Sequence, residues 1–320
     1  MIKRCALNPI LTEKDIPYNA ALIFNAGAIK IDGKYYMLFR NDYAETRGSH
    51  KLVGTNLGLA RSDDGIHWVA DPKPCFQLST DEIVRIYDPR LQVIEGEIYL
   101  CFAVDTKHGI RGGIAKTDKE FKTLDILSLS SPDNRNMVLF PEKINGKYAR
   151  LERPFPVYSM GYDKFDVWFS DSPDMKYWVN TQLVLGAEKV PFANTKIGPA
   201  APPIKTEKGW LTTFHAVKSV EPKKNGWEDA WGKEYYAGIM LLDLENPSKV
   251  IGMYDKPLLF PEADYEISGG FRNDVIFPGG MILEEDGEVK IYYGAADAVE
   301  CLATACVEEL ISLCLNNKNL

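Results

Sequence analysis

The sequence predicts an all-β fold, a five-bladed β-propeller, on three observations. A Gly-led strand module recurs five times, each copy is followed by a second strand that runs into a polar turn, and helical periodicity is nearly absent.

The first module, Gly33-Lys-Tyr-Tyr-Met-Leu-Phe-Arg40, stands behind the hairpin signal Asp32-Gly33, with Gly58 to Trp68 as its second strand and turn. The second is Gly96-Glu-Ile-Tyr-Leu-Cys-Phe102 with Gly113 to Asp118. The third, Gly146-Lys-Tyr-Ala-Arg-Leu151, follows Asn145 and is partnered by Val167 to Trp178. The fourth is Gly209-Trp-Leu-Thr-Thr-Phe214 with Gly238 to Asp243. The fifth, Gly287-Glu-Val-Lys-Ile-Tyr-Tyr293 behind Asp286, is partnered by Thr304 to Val307. The leading glycines lie 50 to 78 residues apart, a spacing that suits four-stranded blades with long loops. A β-sandwich or two smaller β domains would not explain five copies of one strand pair. No Pro/Gly/Ser-rich linker divides the chain, so residues 1–320 are read as one domain. Only Val307 to Leu315 carries a helical pattern.

Of 320 residues, 45% are hydrophobic and 26% charged, which excludes a disordered or fibrous chain. A net charge of −8 without a basic run argues against nucleic acid or an anionic membrane as partner, while leaving room for a local basic pocket. The six scattered cysteines form no C-x-x-C pair and read as free thiols of a reducing compartment. Met1 to Pro9 contains no signal-peptide core, and no apolar run is long enough to span a bilayer. A cytoplasmic location is expected, and self-association into a homo-oligomer is compatible with it.

In a propeller, functional residues come from similar places in different repeats. Polar residues adjoining the strand modules meet that test: Asn25, Arg40-Asn-Asp42, Tyr87-Asp-Pro-Arg90, Asn134-Arg-Asn136, Glu152-Arg-Pro154, Thr195-Lys-Ile-Gly198, His215, Arg272-Asn-Asp274 and Asp297. Singly, each has an ordinary explanation as a turn former or a solvated charge. Together, Arg135, Arg153, Lys196 and His215 are cation-capable groups from different repeats, and their convergence would imply a phosphate or carboxylate ligand. No G-x-S-x-G, H-E-x-x-H, P-loop or dinucleotide motif is present, and four histidines argue against a His-rich metal centre. No cofactor or metal is expected. Tyr87, Trp227 and Trp231 are aromatic residues placed to stack on sugar rings.

The segments Tyr87-Asp-Pro-Arg90, Asn134 to Lys147, Arg153-Pro154, Ser172-Pro-Asp-Met175, Thr195-Lys-Ile-Gly198, Gly209-Trp-Leu211, His215 and Tyr292-Tyr-Gly-Ala-Ala-Asp297 carry a family resemblance. In this order, over nearly the whole chain, they resemble glycoside hydrolase family 130, the β-mannoside phosphorylases. The resemblance implies a five-bladed propeller and inverting phosphorolysis, with inorganic phosphate as co-substrate and α-D-mannose 1-phosphate as product. It implies Asp88 as general acid and Arg135, Arg153, Lys196 and His215 as the phosphate-binding set. It places Asn25, Arg40, Asp42 and Asp297 on the mannosyl unit, with Tyr87 beside the acid. Phosphate is already an anionic nucleophile and needs a cationic cradle rather than a second carboxylate base. A β-mannosidase would need such a base, for which Glu142 and Glu152 are the nearby candidates. A non-catalytic glycan-binding propeller is the alternative of a different class.

The chain departs from the β-1,4-mannooligosaccharide members at Ile86, Phe140-Pro-Glu-Lys-Ile144, Phe155-Pro-Val-Tyr-Ser159 and the segment Lys218 to Tyr236. These positions fall where an acceptor sugar would be read. The resemblance therefore leans toward the β-1,2-mannobiose and β-1,2-oligomannan phosphorylases, with β-1,4-mannosyl-glucose or mannooligosaccharide phosphorolysis as the alternative.

Overall fold

The computed structural model describes residues 1–156 and 161–316, and at 223–225 and 228–229 the backbone alone. It is an all-β molecule in which sequence-adjacent strands pair antiparallel. The first group is β2 (Leu22–Ile31), β3 (Lys34–Ala44), β4 (Leu52–Ser62) and β5 (Val69–Ala70). The second is β6 (Ile83–Ile94), β7 (Glu97–Thr106), β8 (Gly109–Thr117) and β9 (Asp125–Leu129). The third, β10 (Asn134–Leu139), β11 (Tyr148–Pro154), β12 (Val167–Ser172) and β13 (Val179–Leu185), joins the second in one sheet through the parallel register pair Asn134 and Arg111. The fourth contains β14 (Lys196–Pro199), β15 (Ile204–Lys205), β16 (Trp210–Asn225), β17 (Glu228–Leu242) and β18 (Val250–Met253). The last is β19 (Ile276–Leu283), β20 (Glu288–Ala295) and β21 (Val299–Cys306), completed by β1 (Lys3–Arg4) from the other end of the chain. Helix α1 (Asp264–Ile267) is a single turn, and α2 (Val307–Leu315) occupies the residues whose pattern was helical.

The Gly-led modules thus become β3, β7, β11, β16 and β20, in each group the strand paired with the first strand rather than the first strand itself. The hairpin reading holds in detail at Asp32-Gly33 and Asn145-Gly146, where both residues have positive φ, as a type I′ turn between right-twisted strands requires. Glu95-Gly96 makes the same turn.

The buried side chains divide into clusters that lie between successive groups. Leu38, Leu57, Leu91 and Leu100 join the first to the second, and Ile94, Cys101, Met137 and Leu139 the second to the third. Phe140, Leu151, Trp210 and Phe214 join the third to the fourth. Leu211, Leu241, Met281 and Ile291 join the fourth to the last, and Ile23, Met37, Tyr292 and Leu302 bring the last back to the first. Each fully buried large side chain contributes about 1.5–3 kcal/mol relative to exposure, so the interfaces between sheets carry the stability. All six cysteines are unpaired. Among the described residues no helix is long and apolar enough to cross a membrane.

Candidate active site

Three of the groups begin with a strand that carries the same defect. Pairing slips between Phe24 and Gly27 in β2, between Tyr87 and Arg90 in β6, and between Arg135 and Val138 in β10. Within each slip sits an Asn or Asp in the left-handed region: Asn25 at φ 56°, Asp88 at φ 52° and Asn136 at φ 58°. Asn and Asp tolerate this conformation better than other side chains with a Cβ, and a bulge re-aims the residue it contains. Pro89 is accommodated for the same reason, since the bulge asks no ladder hydrogen bond of it.

Asp88 is the centre of this arrangement. Its Oδ1 accepts from Asn25 Nδ2 at 3.1 Å and from Arg40 Nη1 at 3.3 Å. Arg40 is itself clamped by Asp42, with Nε to Oδ1 at 2.9 Å and Nη2 to Oδ2 at 2.6 Å, and Thr55 Oγ1 donates to Asp42 at 2.6 Å. The guanidinium lies over the rings of Phe24 and Tyr87, 4.5 and 5.0 Å from their centroids. Burial pushes the Asp88 carboxyl up, but Arg40, Arg90, Arg135 and the Asn25 hydrogen bond outweigh it and hold it below the ordinary aspartate value. Asp297 behaves oppositely. Burial, with Asp88 and Asp42 nearby, pushes it up to about 6 against the pull of Arg272 and Arg40. Tyr87 donates its hydroxyl to Asp105 at 2.7 Å and accepts from Arg135 Nη1 at 3.3 Å, which links the carboxylate side of the site to the cationic side.

The cationic side follows from register. Arg135 and Arg153 are cross-strand partners on β10 and β11, and Gly198 faces His215 across β14 and β16. A Cβ at Gly198 would lie 2.4 Å from His215 Cε1 and 2.7 Å from Arg153 Cδ, so the glycine lets these two groups meet. His215 Nδ1 donates to the Pro199 carbonyl at 3.2 Å, and Nε2 accepts from Arg153 Nη1 at 3.1 Å. A carbonyl only accepts and a guanidinium only donates, so the imidazole is neutral with its proton on Nδ1. Burial, then Arg153 and Lys196, hold His215 well below its ordinary range. The sequence suggested four cation-capable groups; the structure brings together two arginines, a lysine whose charge is suppressed in the free site, and a neutral histidine that orients Arg153.

Burial pushes Arg153 down to about 9, with Arg135 adding to the effect. Burial and the neighbouring Arg153, Lys233, Arg135 and Arg272 push Lys196 down to about 6. Arg135 Nε and Arg153 Nε and Nη2 are buried without a partner. Buried N–H groups are nearly always paired, so unpaired donors on crowded cations describe a site built for an anion.

Several neighbours carried no site role in the sequence. Tyr235 stacks on His215 and lies under Lys196, whose Nζ is 5.4 Å from the ring centroid. Phe277 also stacks on the imidazole, at 4.6 Å, and lies 6.4 Å from Tyr235. Arg90, the end of the Tyr87-Asp-Pro-Arg90 motif, donates to the carbonyls of Asn25, Pro89 and Ala200 and so ties β6 to β2 and to the residue that follows β14. Of the aromatic residues the sequence singled out, Trp227 stacks on His50 at 3.8 Å, while Trp231 packs on Tyr235 and Arg272. Glu142 is held by Lys205 at 2.6 Å, and Glu152 is closed in a buried cluster with Arg150 and Asn134, so neither stands free as a base. Of the segment Phe155 to Ser159, residues 157–159 lie outside the described residues. Among the described residues no group of three His, Cys, Asp or Glu side chains is placed to hold a metal ion.

A family model described as beta-1,4-mannooligosaccharide phosphorylase, glycoside hydrolase family 130, matches residues 5–316. The chain belongs to this family. The curated 1,2-beta-oligomannan phosphorylase of Thermoanaerobacter sp. (strain X514) is 32% identical over 93% of this chain and 95% of its own length. The beta-1,4-mannooligosaccharide phosphorylase of Ruminococcus albus is 34% identical over 97% of this chain and 90% of its own. Among solved structures, the beta-1,2-mannobiose phosphorylase of Listeria innocua in complex with beta-1,2-mannobiose superposes with a TM-score of 0.84 at 25% identity, covering 99% of both chains. These β-1,2 and β-1,4 relatives are thus about equally similar to this chain.

Proposed function

We propose that this member of family 130 is an inverting β-mannoside phosphorylase, which transfers the mannosyl unit of a β-mannoside to inorganic phosphate. The observation that carries the reading is the juxtaposition of one carboxylate, Asp88, with a buried set of cations whose unpartnered donors await an anion. Arg135, Arg153 and Lys196 hold the phosphate, and His215 keeps Arg153 in place. Asn25, Arg40, Asp42 and Asp297 hold the mannosyl unit, and Tyr87 spans the two halves. Phosphate attacks the anomeric carbon from the face opposite the leaving oxygen, forming the bond of α-D-mannose 1-phosphate as the glycosidic bond breaks. Asp88 supplies the proton, directly or through a sugar hydroxyl, and the acceptor leaves with a new hydroxyl group. The free carboxyl is ionised by its arginines, and a phosphate dianion at Arg135 weakens that pull, so binding itself prepares Asp88 to take a proton.

The reading takes residues 1–320 as one catalytic domain, a five-bladed β-propeller. The five strand groups and the cores between successive groups, closing from the last to the first, support it. It also includes a cytoplasmic enzyme, because phosphorolysis keeps the energy of the glycosidic bond in a sugar phosphate. The substrate is a β-1,2-mannobiose or β-1,2-oligomannan, an assignment supported by the departures at Phe155 and along β16 and β17. Incubation with β-mannobioses and phosphate, with mannose 1-phosphate as readout, tests the reaction. Free mannose released equally fast without phosphate would sink it. Reverse synthesis from mannose 1-phosphate and mannose tests the linkage, which a dominant β-1,4 product would overturn.

A further inference from the structure

One buried carboxyl outside the residues assigned to sugar and phosphate lies against the Asn25 bulge. Glu300, in β21, is fully buried. Its Oε1 accepts from Ala26 N at 2.6 Å, while Oε2 has no partner. Ala26 falls within the slip between β2 and β3, so its N–H faces no cross-strand partner. Arg90 grips the same bulge from β6, donating to the Asn25 carbonyl at 2.9 Å. The bulge is further hemmed in by Gly279, where a Cβ would lie 2.0 Å from Ala26 O, and by Gly294, where one would lie 2.8 Å from Asn25 N. The main chain of Glu300 is itself fixed, exchanging hydrogen bonds with Leu11 and Ile10 at 2.9 to 3.3 Å.

We propose that Glu300 is a positioning residue for Asp88: by holding the Ala26 N–H it fixes the left-handed Asn25, whose Nδ2 holds the Asp88 carboxyl. The proposal rests on the reading of Asp88 as the acid. A residue of the last sheet thereby sets the aim of a group on β6. The choice of glutamate has a physical sense. An alanine or leucine would leave the Ala26 N–H buried and unpaired, which is destabilising. A carboxylate would add a second negative charge beside Asp88. Glu300 avoids that charge, because burial pushes it up to about 8, against the pull of the Ala26 N–H and Arg90, with Asp88 pushing the same way as burial. The titratable groups facing it are Arg90 and Asp88 of β6 and the adjoining Cys301 thiol; β2 contributes a main-chain N–H. At neutral pH the protonated Glu300 leaves Arg90 to Asp88. Above about pH 8 it ionises, shares Arg90, and raises the proton affinity of Asp88.

Kinetics of Glu300→Gln, Glu300→Ala and Asp88→Asn over pH 5.5–9.5 test the idea. The glutamine keeps an acceptor for Ala26 and cannot ionise. It should retain kcat within about two-fold at pH 6.5 and lose the wild-type inflection near pH 8. Glu300→Ala should lower kcat about 10- to 100-fold, as expected of a slightly misplaced catalytic group, with the phosphate KM unchanged. A wild-type kcat and pH profile in Glu300→Ala, with Asp88→Asn inactive, overturns the proposal alone. A fully active Asp88→Asn overturns the reading beneath it as well. Should Glu300→Ala fail to fold, the glutamine variant decides: an inflection near pH 8 that survives in it refutes the assignment.

Discussion

Lys196 gives the most direct handle on the phosphate reading. With its ammonium held down to about 6, Lys196 at pH 8 is charged in about 1% of free enzyme molecules. The cause is burial together with Arg153, Lys233, Arg135 and Arg272. A phosphate dianion between these cations replaces repulsion with attraction and restores the charged form. Binding must therefore draw about one proton from solvent per phosphate. Arg153, held at about 9, is already about nine-tenths charged at pH 8 and adds about a tenth of a proton. Titration calorimetry at pH 8 in two buffers of different ionisation enthalpy measures this number. Wild type should take up about one proton per phosphate, whereas Lys196→Met should lose most of that uptake and leave only the share of Asp88 and Arg153. The sign carries into kinetics: above pH 6 each further unit makes the charged lysine ten-fold rarer, so phosphate KM rises about ten-fold per unit between pH 7 and 8.5. Equal proton uptake in wild type and Lys196→Met would refute the reasoning, because the lysine would then not change its charge on binding.

Other outcomes follow from single contacts. Asp88→Asn should lower kcat by about 10²–10⁴-fold, the usual worth of general acid catalysis, while β-mannoside binding by calorimetry persists; unchanged turnover removes Asp88 from the acid role. Arg153→Ala should raise the phosphate KM and free His215 Nε2, so its imidazole should titrate at higher pH by NMR; a silent imidazole means that burial alone holds it neutral. Gly279→Ala puts a methyl 2.0 Å from Ala26 O and should destabilise by about 1–3 kcal/mol in denaturant unfolding; an unchanged midpoint would mean the bulge gives way easily. Tyr87→Phe cuts the link from Asp105 to Arg135 and should affect phosphate KM and kcat together, an effect absent if the hydroxyl serves only Asp105.

Much of the fold was legible because its signals are local. Asp32-Gly33 and Asn145-Gly146 specify their turns through backbone preference alone, and the alternation in Gly33 to Arg40 or Gly287 to Tyr293 marks a strand whatever it packs against. The sequence did not reveal that these modules are second strands, because the first strands are interrupted by bulges. A slip such as Phe24-Asn-Ala-Gly27 breaks the period-two pattern at the positions that matter for chemistry. The same property offers a signal: Asn25, Asp88 and Asn136 occupy matching places, and short polar side chains that tolerate positive φ recur there. Arg135, Arg153, Lys196 and His215 could be grouped from the sequence, but their charge states could not. The neutrality of His215 depends on a carbonyl 16 residues away in sequence and on an arginine 62 residues away. Glu300 bears no local mark at all, since a glutamate in a strand reads as a solvent-facing residue until its partner, 274 residues distant, is known.

The pairing of β1 with β21 sets an order of events during biosynthesis. Lys3 finds its strand partner Thr304 only after about 300 further residues have been made, a delay of about 15–60 s at typical elongation rates. Until then the groups from β2 to β18 can pair internally, but the surface of Ile23, Met37 and Phe39 waits uncovered for Tyr292 and Leu302. The Ala26 N–H waits for Glu300, and Asp297 has yet to join the carboxylate side. A nascent chain therefore carries its cations and its Asp88 early and cannot aim them. Completion of the site waits for β21, and a chain stalled before it exposes apolar surface of the kind that chaperones bind.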